Sequence, residues 1–204
     1  MSGKGINSTT DGRSSIYHIL SRSFTRPGDD YRELATALDQ VLRFLDIPSD
    51  MGKDELDRLK LEVEYNRLFV GPGRLRCPPY ESVHRKDRNE LETGLVMGPS
   101  TMEVKRIYSE VGWEVNRELK DLPDHIAVEL EFMHLLCEKE LGSSDSGVWR
   151  KKEAEFVGAH LAPWAVGFAD CVENTSTSPF YRSAARLLRE FIRDEPPPLP
   201  PGGS

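Results

Sequence analysis

The chain has 204 residues, 38% of them hydrophobic and 30% charged, with a formal net charge of -7 and a mean hydropathy of -0.51. Such a length suits one domain or two closely packed halves, and no apolar run approaches the roughly 20 residues that span a bilayer. The acidic balance disfavours nucleic acid, whose phosphates need clustered Lys and Arg, and suits a cationic partner.

The chain starts on a polar stretch rich in Gly, Ser and Thr without the apolar core of a secretory signal, so the protein is expected to stay in the cytoplasm. Residues 1–13 and the Pro/Gly-rich residues 196–204 read as tails. They bound an all-α domain over 14–195. Cys77, Cys137 and Cys171 are odd in number and far apart, which reads as free thiols and against a disulfide framework or a metal clamp.

The first helix is predicted from Ser14 or Ser15, with Ile16, Ile19, Leu20 and Phe24 on one face before Pro27-Gly28 breaks it. Asp29 or Asp30 starts a second, striped by Tyr31, Leu34, Leu38, Val41, Leu42 and Leu45. A third runs from about Asp54 to Val70. It carries Leu56, Leu59, Val63 and Val70 on one side and Leu61, Tyr65, Leu68 and Phe69 on the other, which predicts a helix packed between neighbours. Gly71 caps it and Pro72 prevents its extension. A long loop up to about Pro99 follows, of the kind that is usually functional.

Ser100-Thr101-Met102-Glu103 reads as a capping box opening a helix with Val104, Ile107, Tyr108 and Val111. Asp121-Leu122-Pro123-Asp124 reads as the acidic, proline-containing start of the next. That helix continues to about Leu141, and its wide apolar stripe marks it as the central helix of the second half. Further helices carry Trp149 and Phe156, then Trp164, Phe168, Cys171 and Val172, and the last begins at Ser178-Pro179. About eight helices without a repeat predict a compact bundle, with halves over about 14–98 and 99–195.

Catalytic motifs are absent. His125 and Glu129 lie one helical turn apart, with His134 beyond, but the His-Glu-x-x-His pattern of zinc hydrolases is missing. No Gly-x-Ser-x-Gly elbow occurs, and the glycines at 71 and 73 end a helix without a following Gly-Lys-Ser/Thr, so no phosphate loop is present. A metal-dependent hydrolase and a nucleotide- or molybdenum-cofactor-handling protein are the alternatives to a binding protein. Neither a metal nor a catalytic residue is expected. By contrast, Pro78 and Pro79 hold their loop extended and reduce the entropy that Tyr80 and Glu81 would lose on binding. Such a segment serves equally as a recognition loop or as a stiff connection.

Four segments in order resemble the TorD/DmsD/NarJ family of redox-enzyme maturation chaperones. They are Tyr65-Asn66-Arg67-Leu68-Phe69-Val70-Gly71-Pro72, then Pro78-Pro79-Tyr80-Glu81-Ser82-Val83, then Pro123-Asp124-His125 continuing to Met133, and His160-Leu161-Ala162-Pro163-Trp164. The resemblance implies a helical, cytoplasmic, non-enzymatic chaperone of a molybdopterin-dependent oxidoreductase. It would bind the precursor's twin-arginine signal peptide, delay export and assist cofactor insertion. The peptide site would comprise Phe69, Pro79, Tyr80, Glu81, Ser82, Pro123, Asp124 and His125. Glu81 and Asp124 would pair with guanidinium groups, and Phe69, Pro79, Tyr80 and Pro123 would receive the apolar part. No resident cofactor is implied beyond weak contact with GTP or a molybdopterin dinucleotide, and the state would be a monomer or a domain-swapped dimer. One departure is His84, where relatives often carry an aromatic residue.

Overall fold

The computed structural model describes residues 9–52, 56–72, 75–85, 98–115 and 121–194. Among them the chain forms α1 (Thr10–Ser23), α2 (Tyr31–Phe44), α3 (Arg58–Tyr65), the single turn α4 (Glu81–His84) and α5 (Pro99–Glu110). It continues through α6 (Ile126–Gly142), α7 (Ser146–Phe156), α8 (Ala165–Thr175) and α9 (Pro179–Asp194). The only extended pairing among the described residues is one isolated bridge, so the predicted all-α class holds. No helix among them is long and apolar enough to cross a membrane. Asp54, Gly73, residues 1–8 and residues 196–204, on which sequence expectations also fall, lie outside the described residues.

The hub is α6, as its wide stripe predicted. Ile126, Val128, Leu130, Phe132, Met133, Leu136 and Cys137 are each at most 1% exposed, and burial of a side chain of that size contributes about 1.5–3 kcal/mol. On one side α6 meets α1 and on another α7, while α8 packs on α9, which also touches α1 and α2. Helices from both expected halves therefore share one core. A knot of rings joins them: Phe69 meets Phe24, Tyr65, Phe168 and Tyr181 at centroid distances from 5.3 to 6.3 Å.

Four local expectations are corrected. The first helix starts at Thr10, not at Ser14, because Thr9 caps it by accepting from the Gly12 amide at 3.1 Å; residues read as tail by composition are its first turn. The second correction concerns α5, which begins at Pro99 behind Gly98 with no side-chain cap. Proline's fixed φ starts the helix two residues early, and Ser100, expected as the cap, is buried inside the first turn.

Third, α3 packs on one side only. Leu61, Tyr65, Leu68 and Phe69 are buried, whereas Leu59, Val63 and Val70 are 68%, 60% and 53% exposed. A π turn over Asn66–Val70, closed by the Gly71 amide on the Asn66 carbonyl at 2.8 Å, ends this segment. Gly71 takes φ 99°, which glycine adopts without the Cβ clash, as its capping role required. Fourth, Cys77 and Cys171 are not free thiols but a disulfide, with Cα atoms 5.8 Å apart; Cys137 is a free, buried cysteine.

Candidate functional site

The two motif loops are paired with each other. Tyr80 and His125 form the isolated antiparallel bridge, in which the Glu81 amide donates to the Asp124 carbonyl at 2.9 Å and the Ile126 amide to the Pro79 carbonyl at 2.8 Å. Ile126 is the first residue of α6, so this second bond satisfies an amide that the helix itself leaves open. Pairing also explains why α6 starts later than Asp121 suggested: His125 is held extended, at ψ 137°, and its Nδ1 caps the helix by accepting from the Ala127 amide at 3.1 Å. Asp124 Oδ2, expected at the start of its own helix, instead accepts from the Ser82 amide at 3.1 Å in α4.

With Nδ1 accepting, the hydrogen of neutral His125 sits on Nε2, which lies 3.5 Å from Asp121 Oδ2. Burial lowers the His125 pKa, against the opposing pull of Asp121 and Asp124. The Tyr80 hydroxyl donates to Asp121 Oδ1 at 3.0 Å, and its ring meets the His125 ring edge-on at 5.2 Å. Burial, then the Asp121 charge and this hydrogen bond, push the Tyr80 phenol up. Asp121, with its side chain 26% exposed, thus ties both motif residues together from the solvent side.

Beneath the bridge lies a buried polar cluster. Glu81 is 0% exposed; its Oε1 accepts from Arg85 Nη1 at 2.6 Å and its Oε2 meets His160 Nδ1 at 3.0 Å. Arg85 also donates to the Ala159 carbonyl at 2.7 Å. That carbonyl is available because the residue four positions on is Pro163, which has no amide to offer. Ala159 and His160 belong to a second π turn, Val157–Leu161, a distortion often found where a helix serves a function.

Glu129 is also 0% exposed and accepts from Trp164 Nε1 at 3.3 Å. Burial, then the nearby Glu81 and Asp124, raise its carboxyl well above the usual range. His84 donates through Nε2 to the Pro78 carbonyl at 2.8 Å and stacks on Trp164 at 5.2 Å, doing here what an aromatic side chain would do. The cluster bolts the Pro-Pro-Tyr-Glu loop to α6 and to the π turn.

The structure therefore divides the expected site residues. It brings Pro79, Tyr80, Glu81, Ser82, Pro123, Asp124 and His125 together, but Pro79, Glu81, Ser82, Asp124 and His125 are buried. The loop does not present Glu81 to solvent, because Arg85 and His160 hold it inside. Phe69, 4% exposed, belongs to the aromatic knot of the core. Tyr80 and Pro123 are half-buried and face outward with Asp121 and Leu122. Sequence reading missed Asp121 as a site residue, since an acid before Leu-Pro looks like a helix start. It also missed Arg85, and it weighed Glu129 only as a metal or acid/base candidate beside His125, although Glu129 gave a signal of burial: it lies three residues after Ile126 and four before Met133, inside the apolar stripe. His125 and Glu129 join no grouping of three metal-ligand side chains among the described residues.

Comparison with known proteins identifies the family of the chain. The family model described as nitrate reductase delta subunit matches residues 28–170. The chain is 26% identical over 184 residues to the chaperone protein TorD of Vibrio parahaemolyticus, covering 87% of this chain and 80% of that one. It is 30% identical over 142 residues to the chlorate reductase assembly chaperone protein of Ideonella dechloratans, covering 67% of this chain and 69% of that one. A crystal structure of an Archaeoglobus fulgidus protein described as a redox enzyme maturation protein superposes with a TM-score of 0.58 at 26% identity, covering 88% of this chain and 93% of that one. The chain belongs to the nitrate reductase delta subunit family, the TorD/NarJ group of assembly chaperones that its paired loop motifs resemble.

Proposed function

We propose that this protein is a cytoplasmic assembly chaperone of a molybdopterin-dependent oxidoreductase, which it recognises through the precursor's twin-arginine leader and holds back from export while the cofactor is inserted. It acts by binding alone. The observation that carries the reading is the bridge between Tyr80 and His125, which joins the two family motifs into one stiff surface. Relatives named for TorD, chlorate reductase and selenate reductase assembly support the client class.

In this reading the leader's guanidinium groups meet Asp121, the outward carboxylate of the bridge, and its apolar part lies on Tyr80 and Pro123. Glu81, Ser82, Asp124 and His125 position that surface from beneath, Pro79 supplies its main-chain register, and Phe69 supports it from the core. An acidic chain of net charge -7 favours the approach of a cationic leader.

The test is co-expression with the molybdoenzyme precursor of the same organism, with and without its leader. The full precursor is expected to co-purify and the leaderless form to be lost. Equal capture of both forms, or binding of GTP or a molybdopterin dinucleotide by a protein that captures neither, would overturn the reading.

A further inference from the structure

Away from the bridge, the seam between α1 and α6 places two histidines and a carboxylate together. His18 of α1 faces His134 of α6 with ring centroids 4.8 Å apart. Glu131, three residues before His134 and so on the same helix face, brings Oε2 to 3.5 Å from His18 Nδ1. One ligand atom from each of the three side chains lies within 4.8 Å of those of the other two. The His18 and Glu131 side chains are 49% and 28% exposed, which leaves the group open to ions from solvent.

Hydrogen bonding around His134 suits a ligand. Its Nδ1 stands 2.8 Å from Ser14 Oγ and 3.2 Å from the Ser14 carbonyl. A carbonyl only accepts, and Ser14 Oγ is itself donating to Glu138 Oε1 at 2.5 Å, so Nδ1 carries the hydrogen. The neutral ring keeps its lone pair on Nε2. Histidines that bind metals usually have their other ring N–H held by a carbonyl or carboxylate in this way, and a Glu-x-x-His pair completed from a facing helix is how helical bundles build such sites.

The donor set selects the ion. Magnesium and calcium want oxygen ligands, whereas two imidazoles and one carboxylate suit zinc, cobalt or nickel. Zinc stands about 2.0–2.1 Å from nitrogen and oxygen ligands, which sets tetrahedral ligands about 3.4 Å apart. His18 and Glu131 are already at that spacing, and a ligand atom of His134 lies within 4.8 Å of both. We propose that His18, Glu131 and His134 form a site for a zinc-type divalent transition metal that clips α1 to α6, with a fourth position left for water. The site is independent of the client and of the proposed function.

The experiment is calorimetric titration of the full, untagged protein with zinc chloride, with cobalt(II) absorption as a second readout of ligand geometry. Wild type is expected to bind one zinc ion and give the intense visible bands of tetrahedral cobalt, with an upward shift in Tm on adding zinc. His18→Ala, at a half-exposed position whose loss leaves the core intact, should weaken binding at least tenfold and abolish the Tm shift, and Glu131→Gln should do likewise. His84→Ala, which removes a histidine outside the cluster, should bind zinc like wild type. Absence of stoichiometric zinc binding to wild type, or His18→Ala binding as tightly as wild type, would overturn the assignment.

Discussion

Tyr80 and His125 meet edge-to-face at 5.2 Å across a single antiparallel bridge. Neither loop could hold its conformation alone, because each spends main-chain polar groups on the other: the Pro79 carbonyl takes the first amide of α6, and the Asp124 carbonyl and carboxylate take the amides of Glu81 and Ser82. The surface they form is rigid before any partner arrives, which lowers the ordering cost of binding.

Glu81 is the keystone of the cluster beneath. Glu81→Ala leaves the Arg85 guanidinium and the His160 ring in the interior without their carboxylate, and breaking a buried pair of this kind costs about 3–5 kcal/mol. Urea denaturation at neutral pH should show a loss of that order, a large share of a typical stability of about 5–15 kcal/mol. A loss within about 0.5 kcal/mol, as at an ordinary surface site, would show that the cluster does not hold the loop.

The α1, α6 and α7 junction should make stability depend on pH. Arg13, 3% exposed, is shared by Glu140 at 2.7 Å and Glu153 at 2.9 Å. Burial, reinforced by Glu140 and opposed by Arg13, pushes the Glu153 carboxyl up to about 7. Since the folded pKa lies above the ordinary value of 4.5, the folded state holds this proton more tightly. Its contribution is complete below the ordinary value and is lost as pH rises through 7. Glu153→Gln, which mimics the protonated form, should gain on wild type by on the order of 2 kcal/mol between pH 5 and pH 8. Urea midpoints that move in parallel for the two proteins would refute this.

Glu64 should act in the opposite direction. Burial pushes its carboxyl up, but Arg67, the Thr177 amide and Ser176 outweigh burial and bring it down to about 2. Its contribution is complete above the ordinary carboxylate range and is lost as pH falls toward 2. Acid titration of stability should therefore be shallower in Glu64→Gln than in wild type, and equal slopes would contradict the assignment.

The Cys77–Cys171 bond closes a sequence separation of 94 residues and ties the segment before Pro78 to α8. Cross-links of this kind stabilise by about 2–4 kcal/mol, in one account by restricting the unfolded chain. Alkylation of denatured, unreduced protein should label one cysteine, Cys137. Dithiothreitol should lower the urea midpoint of wild type but leave Cys171→Ser unchanged. Labelling of all three cysteines would restore the free-thiol reading.

What the sequence revealed and what it withheld have a common cause. Helical periodicity is local, so α2, α6, α7, α8 and α9 were legible from their stripes, and Gly71-Pro72 from turn chemistry. Pairings between distant segments leave no local trace. From local pattern Pro-Pro-Tyr-Glu read as a stiff loop and Pro-Asp-His as a helix start, joined in one site only by the resemblance; Cys77 and Cys171 read as unrelated thiols, and His134 was weighed only with His125 and Glu129 because His18 comes from another helix. Glu81 and Asp124 were sought at the surface because carboxylates in polar loops are usually there, yet internal partners draw both inside. The outer face of α3 failed in the other direction: Leu59 and Val63 had the pattern of a second buried face, and among the described residues nothing covers it.

Calorimetry with a synthetic twin-arginine leader of the client reads whether the paired Tyr80 and His125 loops form the leader-binding surface. Tyr80→Ala and Asp121→Asn, both at half-exposed positions, should weaken binding at least tenfold while circular dichroism shows the fold intact, and a leader with both arginines replaced by glutamine should lose affinity for wild type. Unchanged affinity of the native leader for the folded Tyr80→Ala, Asp121→Asn double variant would show that the leader binds elsewhere.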